Sequence, residues 1–122
     1  MQNAINWFEI PATNIERAVK FYSQILGTEL RRDEFMGVPH GFFPADQQGA
    51  GGAIVQRADY QPSDKGVVIY LNAGRDLDGV LSRIESAGGK VLLPKTDIGN
   101  PGHIAILRDT EGNTVGLHSP AV

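Results

Sequence analysis

The chain has 122 residues, 41% of them hydrophobic and 20% charged, which is one domain's worth of ordinary globular composition and excludes wholesale disorder or two separate cores. Eleven Lys and Arg against fourteen Asp and Glu leave a net charge of −3, without a run of basic residues, so nucleic acid is not an expected partner. There is no cysteine, which excludes disulfides, thiolate catalysis and sulfur-ligated metals.

The opening Met1-Gln2-Asn3-Ala4 shows neither a basic segment nor an apolar one, so export is not expected and a cytoplasmic location is. A strand is predicted over 5–10. Apolar Ile15, Ala18, Val19, Tyr22, Ile25 and Leu26 then recur at steps of three and four, the stripe of a helix over 14–26. Thr13 and Glu16 have capping-box spacing at its start, and Gly27 is placed to end it. Strands follow over 28–35, 40–43 and 52–57. Residues 58–66 carry no apolar pattern and read as a linker. The run Val67-Val68-Ile69-Tyr70-Leu71, too short to cross a membrane, reads as a buried strand over 67–73. Asp76 is placed to cap a second helix, whose stripe is Leu77, Val80, Leu81, Ile84 and Ala87 and whose stop is Gly88-Gly89. Strands over 90–94, 103–107 and 114–119 complete the chain, the last two joined by Asp109-Thr110-Glu111-Gly112-Asn113, read as a hairpin turn and no more.

An offset of 62 superposes the two helical stripes, pairing Ile15 with Leu77, Ala18 with Val80 and Gly27 with Gly89. The expected fold is therefore α+β: a single domain of two βαβββ modules, about 4–57 and 67–119, curving mixed sheets around a cleft. A module of this size buries only one face of its sheet, so the two must share a surface.

This duplicated pattern resembles the vicinal oxygen chelate superfamily, which includes glyoxalase I, bleomycin-resistance proteins and extradiol dioxygenases. The resemblance runs from about residue 4 to 119. It is carried by Arg17-Ala18-Val19-Lys20-Phe21-Tyr22 through Ile25-Leu26-Gly27, and by Asp109-Thr110-Glu111-Gly112-Asn113 before the last strand. Trp7-Phe8-Glu9-Ile10-Pro11 and Gly116-Leu117-His118-Ser119 look most like proteins related to lactoylglutathione lyase. The resemblance implies a homodimer with a small-molecule cleft. It also implies a divalent ion held by four inward side chains, acting as a Lewis acid. Carried onto this chain, those positions fall on Trp7, near Gln56, on Val67 and on Gly116, so four-ligand chelation is not preserved. A slip of two residues leaves Glu9, Gln56 and His118 as a weak divalent-metal set; the expectation is no bound metal.

Glu9 shares a strand face with Trp7. Beside an indole it could act as a general base, or it could simply pair with an arginine. His118 matches Gln56 under the offset and is the second candidate catalytic residue. Trp7, Gln56, His103, Phe43 and Tyr70 are the expected substrate-binding residues. A lyase or isomerase acting on a small oxygenated substrate is one implied function, and a non-catalytic binder of an antibiotic or metabolite is the alternative. The fold alone does not choose.

Overall fold

Asn14 sets the start of the first helix. Its extended backbone (φ −139°, ψ 100°) and its side chain, which accepts from Arg17 N–H at 3.1 Å, make it the N-cap. The capping box expected of Thr13 and Glu16 is replaced: the N–H groups of Thr13 and Asn14 both donate to Glu111, at 2.9 Å, from the far end of the chain. In the computed structural model, which describes residues 3–121, this helix is one of two in the order β1 (Trp7–Pro11), α1 (Ile15–Leu26), β2 (Arg31–Phe35), β3 (Val38–Phe42), β4 (Gly51–Val55), β5 (Tyr70–Asn72), α2 (Leu77–Ile84), β6 (Lys90–Asp97), β7 (His103–Arg108) and β8 (Thr114–Ser119). Met1 and Gln2, half of the segment on which the export reading rests, lie outside the described residues. No helix among the described residues is long and apolar enough to cross a membrane.

The strands form two four-stranded mixed sheets of identical topology, β1-β4-β3-β2 and β5-β8-β7-β6. In each, the first and last strands run parallel in the centre-to-edge pair and the others antiparallel. This is the expected βαβββ duplication. One face of each sheet packs on its helix, and the helices pack on each other. The core thus joins Ile10, Tyr22, Ile25 and Ile54 of the first module to Leu71, Ile84, Leu107 and Leu117 of the second, all nearly free of solvent contact. Gly41 permits the close seating of α1 on β3, since any Cβ there would collide with Val19.

Several boundaries differ from those expected, each for a local reason. Residues 28–30 stay with the helix terminus, because Ser23 accepts from Thr28 N through its carbonyl and from Leu30 N through its hydroxyl. The ladder of β6 continues past Pro94 to Asp97 by shifting register on either side of Leu93, which accommodates a residue with no N–H to give. The largest difference is at 67–73. Only Tyr70–Asn72 pairs in the sheet, and Val67 is 91% exposed, so the run is not a buried strand. The linker is held instead on the β7–β8 turn, Ser63 N donating to Asn113 and the Thr114 hydroxyl to the Asp64 carbonyl; Val67 and Val68 are left exposed, and the chain rejoins the core and the sheet at Ile69.

That turn does far more than close a hairpin. Asp109, 4% exposed, accepts from the Tyr22 hydroxyl at 2.7 Å, from the Asn113 amide at 2.9 Å and from the N–H groups of Glu111 and Asn113. Asn113 in turn donates to the Pro11 carbonyl at 2.8 Å. Glu111, its side chain wholly covered, binds Arg17 at 2.6 Å. One five-residue turn of the second module therefore satisfies the end of β1, the start of α1 and a fully buried tyrosine of the first. Arg83 of α2 completes the joint by donating twice to the Ile25 carbonyl.

Candidate functional site

Alternation along β1 turns Phe8 and Ile10 toward the helices and Trp7 and Glu9 away from them. Strand registers extend that second face. Trp7 lies opposite Gly51 and Glu9 opposite Ala53 on β4; Phe42 lies opposite Ala53, and His40 opposite Val55, on β3; Arg31 lies opposite Phe42 on β2. The floor is small and the walls are large. Ala53 and Val55 are fully covered although neither belongs to the main core cluster, because the neighbouring side chains fold over them.

The walls are aromatic and cationic. The Trp7 and Phe42 rings sit 6.1 Å apart and tilted, His40 stacks on Phe42 at 5.2 Å, and the Arg31 guanidinium rests 4.5 Å over the Phe42 ring while pairing with Asp33. His40 Nδ1 is 2.8 Å from the Val38 carbonyl, which can only accept, so Nδ1 carries the proton. At the mouth of this face a cavity of about 600 Å3 is bounded by Trp7, Phe42, Arg31, Glu29 and Asp46. Glu29 and Asp46 have no ion-pair partner among the described residues.

Glu9 is an ion-paired carboxylate. Arg57 approaches one oxygen at 3.5 Å, the Trp7 indole N–H donates to the other at 3.4 Å, and the Tyr60 hydroxyl donates to the Glu9 carbonyl. Arg57 itself lies over the Tyr60 ring. An arginine thus stands where an isolated general base would need apolar surroundings.

In the second module the same register logic puts Tyr70 opposite Gly116, and Asn72 opposite His118. Trp7 over Gly51 and Tyr70 over Gly116 are counterparts: a Cβ at 51 would meet the indole at 3.4 Å, and one at 116 would run into the phenol ring. The counterpart of His118 is accordingly Ala53, not Gln56, and that of Trp7 is Tyr70, not Val67. The spacing between modules is 62 along the helices but 63 between β1 and β5 and 65 between β4 and β8, which a single offset misses.

Two expected cleft residues face the other way. Gln56 lies on the helix side of its sheet, and its amide oxygen accepts from Ile15 N at 2.7 Å, so it caps α1. His103 shares its face with fully buried Ala105 and Leu107. Phe43 packs its ring on Tyr22 and Phe8, at 5.5 and 5.4 Å, while still edging the cavity. His118 keeps the cleft-side face but hydrogen-bonds through Nε2 to the Pro101 carbonyl. Nothing joins it to Glu9 by hydrogen bond or ion pair among the described residues.

The divalent ion implied by the resemblance therefore does not fit the residues present. Gln56 is turned to the helix, Glu9 already holds a guanidinium, and β4 offers only Gly51, Ala53 and Val55 to the cleft. No group of three or more His, Asp or Glu among the described residues is arranged to hold a metal.

A family model described as the Glyoxalase/Bleomycin resistance protein/Dioxygenase superfamily matches residues 4–117. The chain belongs to this superfamily. A glyoxylase-like domain-containing protein of Didymella fabae is 30% identical over 126 residues, covering 93% of this chain and 91% of that protein. CFP32 of Mycobacterium tuberculosis, named as a candidate glyoxylase, is 28% identical over 95% of this chain; the chain spans only 45% of its length. Among solved structures, a glyoxalase/bleomycin resistance protein of Albidiferax ferrireducens superposes with a TM-score of 0.75 at 18% identity, covering 96% of this chain and 99% of that one. TnmS3, an antibiotic binding protein of a Streptomyces species, does so with 0.63 at 20% identity, covering 97% and 96%. At these identities the structural matches establish the fold of this superfamily member and leave its chemistry to its own residues.

The turn that locks the modules has a pH signature. Burial would push the Glu111 carboxyl up, but hydrogen bonds from Arg17, Asn14, Thr110 and Thr13 outweigh it and hold the carboxyl below its ordinary value of 4.5. Its folded form therefore binds a proton more weakly than its unfolded form, so the stabilisation is complete above about pH 5 and is lost as pH falls through the lowered value. Glu111→Gln should remove that part of the acid-side slope in urea midpoints measured from pH 6 to 3; identical slopes in both proteins would refute it.

Proposed function

We propose that this protein binds planar aromatic small molecules in the cavity walled by Trp7, Phe42 and Arg31, and that it binds them without turning them over. The observation that carries this reading is the division of labour on the cleft face. Rings stand open to the cavity, Trp7 being 49% exposed, whereas the groups that would do chemistry are engaged within the protein, Glu9 by Arg57, His118 by Pro101 and Gln56 by Ile15. Flat ligands gain stacking area on such walls, and the two unpaired carboxylates at the mouth favour an amino substituent. TnmS3 lends support by likeness of fold, since its name assigns it antibiotic binding. We extend the reading to a homodimer, supported by Phe35 and Met36 at the β2–β3 turn, which expose 63% and 88% of their surface.

The test is titration with 9-aminoacridine, a planar amine, followed by Trp7 fluorescence. This is the only tryptophan in the chain, so the signal reports on the cavity alone. Saturable quenching is the expected result, and no quenching at millimolar probe would end the proposal. Glu9→Gln should leave the binding constant unchanged within about twofold, because Glu9 does not line the cavity. Loss of a measured turnover in that variant would favour the lyase or isomerase reading instead. Sedimentation of Phe35→Glu tests the dimer: a wild-type dimer should become a monomer.

A further inference from the structure

A second cavity, of about 590 Å3, opens between the modules and reaches in to the core side chains Phe8, Leu71 and Val80. Its walls are Phe8, Leu26 and Phe43 from the first module and Ile69, Leu71 and Val80 from the second. Protein interiors rarely leave such a volume empty next to a packed core, and this one is in the size range of ligand pockets.

Its polar character comes from the main chain. The β8 strand takes the Ile69 carbonyl and gives its own His118 carbonyl to Ala73 N–H, so residues 69, 71 and 73 turn their peptide groups inward to the sheet. Tyr70 and Asn72 therefore turn theirs outward, along the free edge of β5, where no partner is found among the described residues. On β1 the matching outward groups are already used further along: the Glu9 carbonyl accepts from Tyr60 and the Pro11 carbonyl from Asn113. Tyr60 and Asn113 thus cover the Pro11 end of the β1 edge, and its other end, toward Phe8, is open beside β5. The cavity fills the opening, an apolar space bordered by unpaired N–H and C=O groups.

We propose that this cavity is a second binding site, for an apolar small molecule that carries an amide and pairs it with the exposed peptide groups of Tyr70 and Asn72. An amide supplies both a donor and an acceptor at strand spacing, whereas an ester or ether supplies only acceptors and leaves a main-chain carbonyl unpaired. The two cavities meet at Phe43, Pro44 and Gly51, but Trp7, Phe42 and Arg31 line only the aromatic one, and Ile69, Leu71 and Val80 only this one.

The probe is N-phenyl-1-naphthylamine, whose fluorescence rises in apolar surroundings, displaced by decanamide or by methyl decanoate. The expected result is saturable binding, with decanamide displacing the probe at about tenfold lower concentration, the equivalent of one to two hydrogen bonds. Val68→Asp, at a 39% exposed rim position, and Ala50→Phe, which fills the site from the loop side, should each abolish probe binding while 9-aminoacridine still quenches Trp7. Retained quenching also separates loss of this site from loss of the fold. Equal displacement by amide and ester, or probe binding unaffected in both variants, would overturn the proposal. So would probe binding that weakens as protein concentration rises, because a second copy of the chain would then be the occupant.

Discussion

Asp109→Ala should lower stability by about 3–5 kcal/mol and the melting temperature by roughly 12–20 °C. Asp109 accepts the Tyr22 hydroxyl and one of the two hydrogen bonds of the Asn113 amide, and it holds two turn N–H groups as well. Removing it strands a phenol hydroxyl that is wholly buried between the modules and takes away what positions Asn113 on Pro11. Each unsatisfied buried group costs about 1–3 kcal/mol, which is why the loss exceeds that of an ordinary turn residue. Tyr22→Phe removes one of those bonds and should cost less, about 1.5–3 kcal/mol. Burial, and then the negative charge of Asp109, push the Tyr22 hydroxyl well above its ordinary value of 10, so this bond persists through the neutral range and fails only in strong alkali. Urea denaturation of both variants checks the ranking. Equal losses, or an Asp109→Ala protein within 1 kcal/mol of wild type, would show that the module joint rests on apolar packing alone.

Trp7→Ala should weaken binding of the planar probe by at least about thirtyfold, which is the loss of roughly 2 kcal/mol of stacking and buried ring area. Because this substitution removes the fluorophore, calorimetry is the measurement. The ring is half exposed and contacts Phe42 along one side, so its removal should change folding stability little. Arg31→Ala should weaken binding less, since the guanidinium touches Phe42 and is already paired with Asp33. A Trp7→Ala protein that binds as wild type would move the site elsewhere on the molecule.

The helices and the duplication were readable because their signals are local. A stripe at steps of three and four needs no knowledge of distant partners, and the superfamily resemblance rested on the same stretches. The cleft was readable only in part. Parity along β1 correctly grouped Trp7 with Glu9, but the faces of Gln56 and His103 depend on register against neighbouring strands, and loops of unequal length shift that register by one to three residues between modules. The same ambiguity hid Arg31, which reaches the cavity from a strand whose pairing no short spacing reveals. Arg57 went unnoticed as the partner of Glu9 because forty-eight residues separate them. The turn at 109–113 misled for a different reason. Its Asp, Gly and Asn satisfy hairpin chemistry so completely that their longer-range use, on Tyr22, Pro11 and the start of α1, leaves no mark on the local pattern.

The account stands on the substitution of aromatic rings and small residues for coordinating groups across the cleft face. The most direct measurement is the Trp7 quenching titration with 9-aminoacridine, run once with EDTA and once with stoichiometric Ni2+, Zn2+ or Mn2+. Superimposable curves, with the same midpoint and depth, are predicted. Quenching that appears or tightens tenfold only when a cation is supplied would contradict it.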